Sequence, residues 1–131
     1  MRFPSACPEI PVSDLGAGLA YYRDRLGFHL DWTADEIGLA CVSRGDSRLF
    51  MADAEYRSAL GNRGPMVVWV NLDGREAVDA LHAEWSSAGA GIVQPPEAKP
   101  YKLYEFLVQD PDGNLLRVFY DFAWEEKADD V

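Results

Sequence analysis

Two cysteines, two histidines and a surplus of carboxylates are the side chains best able to do chemistry in this sequence, and their spacing does little to help them. Cys7 and Cys41 are too few and too far apart for a disulfide framework or a clustered zinc site, so reduced thiols are expected. Cys7 has no evident histidine nearby and an apolar context, which predicts a buried structural cysteine rather than a nucleophile. His29 opens a strand-like run and His82 lies in a helical one; isolated histidines of this kind are ordinarily surface or packing residues. With 22 acidic against 12 basic side chains, the net charge of −10 repels phosphate backbones, and no Lys/Arg run interleaved with aromatics offsets it. Nucleic acid is therefore excluded as a partner. The same charge would concentrate a cationic small molecule or would simply keep the protein in solution, and both readings stay open.

The elements that must position these groups fit one domain. A chain of 131 residues, 48% hydrophobic, is enough for a single real core and too short for a second full domain. No stretch approaches the roughly 20 apolar residues of a membrane span, and the N-terminal "MRFPSACPEIPVSDL" lacks the regions of a signal peptide, so a cytoplasmic location is expected.

After the extended "CPEIPV", Ser13-Asp14 precedes Leu15, Leu19, Tyr22 and Leu26 at helical spacing, up to Gly27. Tyr21-Tyr22 and "YRDRLGF" then belong to helix packing and solvent-facing charge. "FHLDWTA", "GLACVSR" and "SRLFMAD" follow as strands, with "RGDS" a hairpin turn between the last two. The loop "ADAEYRSALGNRGP" leads to the strand "MVVWVNLDG", and Val78, Leu81, Trp85 and Ala88 recur at helical spacing up to Gly89. Residues 91 to 94 form a short strand and Pro95-Pro96 opens a loop. "KLYEFLVQD" and "NLLRVFYDF" flank Asp110-Pro111-Asp112-Gly113, a turn with Pro and Gly where turn chemistry wants them. Both halves read β-α-β-β-β, and Val12 and Leu72 end equivalent strands 60 residues apart, which points to duplication.

The expected fold is α+β. Unit one runs about 6–53, an inter-unit loop 53–65, unit two about 66–122, and an acidic tail 123–131 is expected to fray. Each four-stranded sheet has one helix to cover one face, and the bare faces must either curl round one cleft or dimerise.

"IPVSDLGAGLAYYRDRLGF" and "DPDGNLLRVFY", a full repeat apart, resemble recurrent patterns of the vicinal-oxygen-chelate superfamily, which includes glyoxalase I, extradiol dioxygenases, fosfomycin-resistance enzymes and bleomycin-resistance proteins. The resemblance runs almost the whole length and implies a curved mixed β-sheet with helices on its outer face. Enzymes of that superfamily hold a divalent metal with His, Glu or Gln at four positions on the first and last strands of the units. Those positions fall here on Cys7, near Phe50, on Val67 and on Arg117. A thiol, two apolar groups and a permanent cation cannot hold a hard divalent metal, so no metal and no cofactor are expected. "GLACVSRGDSRLFMAD" and "DPDGNLLRVFY" are most similar to bleomycin-resistance proteins, down to the arginine of the last strand. In that family two chains pair so that their sheets enclose clefts that sequester a cationic, planar-tailed glycopeptide without chemistry.

Strand alternation then lists the cleft face from those positions: Glu9 with Cys7, Arg48 with Phe50, Trp69 and Asn71 with Val67, and Leu115 and Phe119 with Arg117. Trp32, Tyr104 and Phe106 lie on strands of unfixed register and are added as candidates. Such a lining suits a flat ligand stacked on Trp69 and Phe50, with a polar group read by Arg117 and a cation by Glu9. Core packing of the same aromatics, and a structural Arg117–Glu9 ion pair, are the competing readings. Expected partners are a small molecule, a cationic antibiotic being one candidate, and a second copy of the chain; no membrane is expected. Non-catalytic binding leads, with a metal-dependent lyase, isomerase or dioxygenase, or a metabolite-binding subunit, as alternatives.

Overall fold

Alternating and helical periodicities become the expected elements in the computed structural model, which describes residues 1–61 and 63–125. In chain order they are β1 (Glu9–Pro11), α1 (Leu15–Asp24), β2 (His29–Ala34), β3 (Leu39–Arg44), β4 (Ser47–Ala52), α2 (Ala54–Arg57), β5 (Val67–Asn71), α3 (Arg75–Ser87), β6 (Gly91–Ala98), β7 (Leu103–Gln109) and β8 (Leu115–Asp121). Asp14 caps α1 by accepting from the Ala17 N–H. The far end of α3 closes on Gly89, whose φ of 82° lets its N–H reach Ser86 O while the Ala90 N–H reaches Trp85 O.

The chain divides into two compact units, residues 1–66 with 111–114, and residues 67–110 with 115 onward. In unit one the sheet order is β1-β4-β3-β2, and in unit two it is β5-β8-β7-β6. The two orders match strand for strand: the first and last strands pair in parallel and the rest are antiparallel. The Val12 N–H reaches Ala52 O just as the Leu72 N–H reaches Phe119 O, so the 60-residue offset read from the sequence is the offset of the hydrogen-bond ladders.

One face of each sheet carries the core. In unit one Ile10, Ala40, Val42, Leu49 and Met51 are buried with Tyr22 of α1; in unit two Phe106, Val108, Leu116 and Val118 are buried with Val78 and Trp85 of α3. Burying a large aromatic such as Trp85 on that face is worth about 3 kcal/mol or more.

Residues 111–114 belong with unit one because their side chains bond its backbone. Asp112 accepts from the Ser13 N–H at 2.9 Å, and the fully buried Asn114 accepts from the Met66 N–H and donates to Pro11 O, each at 2.9 Å. Both sequence signatures therefore meet at one place, and the Asp-Pro-Asp-Gly-Asn turn is a structural staple.

Three expectations are corrected. The stretch 53–65 is not all loop: Asp53 accepts from the Tyr56 N–H and starts α2, followed by a 3₁₀ turn at Ser58–Leu60. Gly38, φ 77°, leaves room for that cap, since a Cβ there would stand 2.1 Å from Asp53 Oδ1. The short strand 91–94 continues through Pro95-Pro96 to Ala98, because β6 is an edge strand where missing N–H donors cost little. Of the acidic tail, Glu125 is not free but pairs with Arg75 at 3.2 Å; residues 126–131 lie outside the described residues.

Candidate functional site

Each sheet leaves its other face open, and on each a row of four in-register residues crosses all four strands. In unit one the row is Glu9, Phe50, Cys41, Trp32. Trp32 and Phe50 meet edge-on at 5.8 Å between ring centroids, and the Arg48 guanidinium lies 5.8 Å from the Phe50 ring. Arg48 donates to Cys41 Sγ at 3.3 Å, and Asp31 accepts from Cys41 Sγ at 3.6 Å and from Ser43 Oγ at 2.8 Å. Asp31 reaches this face through a bulge between Leu30 and Trp32. Burial pushes the Cys41 thiol pKa up, with Arg48 opposing, which favours the neutral thiol. Glu9 is held by Arg57 of α2, Nη1 to Oε2 at 2.7 Å, and Arg57 is almost fully buried.

In unit two the matching row is Trp69, Arg117, Leu107, Gln94. Trp69 is 50% exposed and meets Phe119 edge-on at 5.6 Å, while the Arg117 guanidinium sits 4.9 Å from the Trp69 ring centroid. Arg117 Nη1 donates to Glu105 Oε2 at 3.2 Å, and the Tyr101 hydroxyl donates to the other oxygen, Oε1, of the same carboxylate. Glu105 is fully buried. The hydrogen bond to Glu105, more than desolvation, raises the Tyr101 pKa. Tyr101 is delivered by a tight turn in which Lys102 takes φ 69°, a conformation that costs a non-glycine residue about 1 kcal/mol. Lys99 extends the polar edge, donating to Gln94 Oε1 at 2.9 Å.

The structure sorts the candidates. On the open face of unit one it brings together Glu9, Trp32, Phe50 and Arg48; on that of unit two, Trp69, Asn71, Leu115, Arg117 and Phe119. Tyr104 and Phe106 belong to the opposite face. Phe106 is fully buried against Trp85 and His82, at 5.6 and 5.3 Å, and the Tyr104 hydroxyl donates to Asp79 of α3 at 2.6 Å. Their parity follows from the β7–β8 register, which pairs Leu107, not Phe106, with Arg117. The Arg117–Glu9 pair is likewise corrected: each has its own partner, Glu105 and Arg57. Cys7 is exposed, not buried, because β1 begins only at Glu9. Tyr101, Glu105, Arg57 and Asp31 were missed; a lone acid inside the apolar run "LYEFLV" was the one sequence signal for Glu105.

The positions that the family pattern assigns to metal ligands do not fit a metal. An exposed thiol and a phenyl ring stand at those of unit one, an isopropyl group and an ion-paired guanidinium at those of unit two. Among the described residues no three His, Cys, Asp or Glu side chains gather as a metal cage, and no helix is long and apolar enough to cross a membrane.

Residues 6–118 match the family model of the Glyoxalase/Bleomycin resistance protein/Dioxygenase superfamily. No curated protein matches. Among solved structures, the bleomycin-binding protein from bleomycin-producing Streptomyces verticillus, complexed with copper(II)-bleomycin, is 29% identical at a TM-score of 0.69, covering 90% of this chain and 96% of that one. Lactoylglutathione lyase from Agrobacterium tumefaciens shares the fold at 22% identity and a TM-score of 0.77, covering 94% and 98%. TioX from Micromonospora sp. ML1 does so at 23% and 0.74, covering 88% and 96%.

Proposed function

The chain belongs to the Glyoxalase/Bleomycin resistance protein/Dioxygenase superfamily, and from that premise we propose that it is a metal-free, non-catalytic protein that sequesters a planar, partly apolar small molecule. The observation that carries this reading is the chemistry of the open faces: each carries an aromatic pair beside a guanidinium, with Phe50 and Arg117 at positions where the family's enzymes would present metal ligands. Half-exposed Trp69 and Trp32 offer ring faces to stack on, each such contact worth about 0.5–1.5 kcal/mol beyond area burial. The relative that binds copper(II)-bleomycin makes bleomycin the first ligand to try. The working form would be a homodimer in the cytoplasm, where the free cysteines stay reduced.

Calorimetric titration of the purified chain with copper(II)-bleomycin and with metal-free bleomycin tests the reading, alongside metal analysis after dialysis. Saturable heat with both forms and no retained metal is expected. Stoichiometric Ni, Zn, Mn or Fe in the dialysed protein would overturn it; absence of heat with either form would remove the antibiotic and leave a metabolite as the ligand.

A further inference from the structure

The unit-two face holds a buried carboxylate that the proposed stacking does not use. Glu105 is completely buried although it lies on the open side of β7, where neighbouring Trp69 and Asn71 are exposed. An ionised group so placed must be satisfied. Its two oxygens are divided between two donors, Arg117 on Oε2 and Tyr101 on Oε1.

Both donors reach it from different elements. Arg117 comes from the neighbouring strand β8, and Tyr101 from the β6–β7 turn. That turn is fastened by the Lys99 N–H to Leu103 O at 2.8 Å and the Lys102 N–H to Lys99 O at 3.0 Å, with Lys102 in the left-handed region. Strain in a short turn whose tip bonds a buried acid is the mark of a segment held for its geometry.

We propose that Glu105 and Tyr101 are positioning residues that aim the Arg117 guanidinium along the Trp69 ring, ready for the acceptor edge of a planar ligand. The inference rests on the reading of this face as a ligand platform. A guanidinium has five donors in a rigid fork, and one Nη1 bond to Glu105 leaves others for a carbonyl or carboxylate. Held over the Trp69 ring, with Cζ 4.9 Å from its centroid, the fork shares the indole with any ring that packs against it. The ligand class that follows is a flat ring carrying a carbonyl or carboxylate edge. Glu105 supplies the counter-charge, so the ligand need not, and Tyr101 keeps the second carboxylate oxygen from drawing Arg117 off the indole.

Two measurements separate this device from the binding reading. The first needs no ligand: the Arg117 Nε–H resonance, assigned through Arg117→Lys, is followed in wild type, Glu105→Gln and Tyr101→Phe. It is expected to shift and broaden in Glu105→Gln, and less in Tyr101→Phe; an unchanged resonance in both overturns the positioning role. Tyr101→Phe removes only the hydroxyl of a half-exposed residue and keeps the test open if Glu105→Gln fails to fold. The second measures affinity for copper(II)-bleomycin. A loss of about tenfold for Glu105→Gln, smaller for Tyr101→Phe and partly recovered in Glu105→Asp, is expected. Wild-type affinity in all three variants overturns the proposal, whereas no binding by wild type itself sinks the bleomycin reading while the resonance still decides the positioning role.

Discussion

Across its four strands the open face of unit one runs Glu9, Phe50, Cys41, Trp32, whereas that of unit two runs Trp69, Arg117, Leu107, Gln94. An acid stands where its counterpart is an indole, and a phenyl ring where its counterpart is a guanidinium. The helix-covered faces show no such exchange: Ile10, Val42 and Met51 in one unit, and Phe106, Leu116 and Val118 in the other, are all apolar and buried. Topology is thus specified by one face of each sheet, which leaves the other free to diverge in chemistry. Each row also brings one charge that its own strands do not neutralise within the row. Unit one recruits Arg57 from α2, and unit two recruits Glu105 from β7.

The largest effect should separate two hairpin turns, the β7–β8 turn that packs into unit one and the plain β3–β4 turn. Asn114→Ala would strip partners from the Met66 N–H and Pro11 O at a fully buried site, costing about 2–4 kcal/mol. Asp46→Ala, in the exposed β3–β4 turn of unit one, should cost less than about 0.5 kcal/mol. Urea midpoints of the two variants measure this directly, and equal shifts would erase the distinction between a staple and a plain turn. Next in size is the share of ligand binding carried by each row. Trp69→Ala should weaken copper(II)-bleomycin binding by about 10- to 100-fold, or 1.4–2.8 kcal/mol. Trp32→Ala should weaken it less, because the Arg48 guanidinium of that face lies over Phe50, at 5.8 Å, whereas Arg117 lies over the Trp69 ring itself, at 4.9 Å. The reverse order in a fluorescence titration would make unit one the main platform.

The repeat and the order of elements were legible, because period-2 alternation and turn residues are local properties; the open-face members Glu9, Phe50, Trp69, Asn71, Arg117 and Phe119 followed from alternation counted from positions that the family resemblance supplied. The facing of Tyr104 and Phe106 is set by the Asp110-Pro111-Asp112-Gly113 turn, across which Leu107 pairs with Arg117. Ion-pair partners were not legible. Arg57 and Glu9 are 48 residues apart, and Glu105 and Arg117 are 12 apart across a hairpin. Alternation says which face a charge takes, while burial decides which partner it must have. Pro95-Pro96 misled because a proline pair forbids a central strand and tolerates an edge one, and edge position is settled only by the finished sheet.

Glu9 offers a smaller, sharper test of unit one. If its carboxylate chiefly serves Arg57, Glu9→Gln should destabilise the fold by about 1 kcal/mol while leaving ligand affinity nearly unchanged. A double-mutant cycle with Arg57→Met should show coupling of similar size. An affinity loss that exceeds the stability loss would instead make Glu9 a reader of the ligand's cationic group.

Alkaline pH should distinguish the units most gently, through neutral acids held in each. Burial raises the Cys41 thiol above its ordinary 9.0 in unit one; hydrogen bonds to Glu105 and Asp79 raise Tyr101 and Tyr104 above their ordinary 10.0 in unit two. In all three the folded state keeps a proton that the unfolded chain gives up. The unfolded state therefore binds fewer protons once pH passes the ordinary value, and stability falls from there until pH passes the raised folded value. Unit one should begin to lose stability near pH 9 and unit two about one pH unit higher. Urea midpoints between pH 8 and pH 11 for wild type, Cys41→Ser and Tyr101→Phe resolve the two onsets. Cys41→Ser should flatten the lower part of the decline and Tyr101→Phe the upper part, whereas one onset insensitive to both substitutions would place the titrating groups elsewhere.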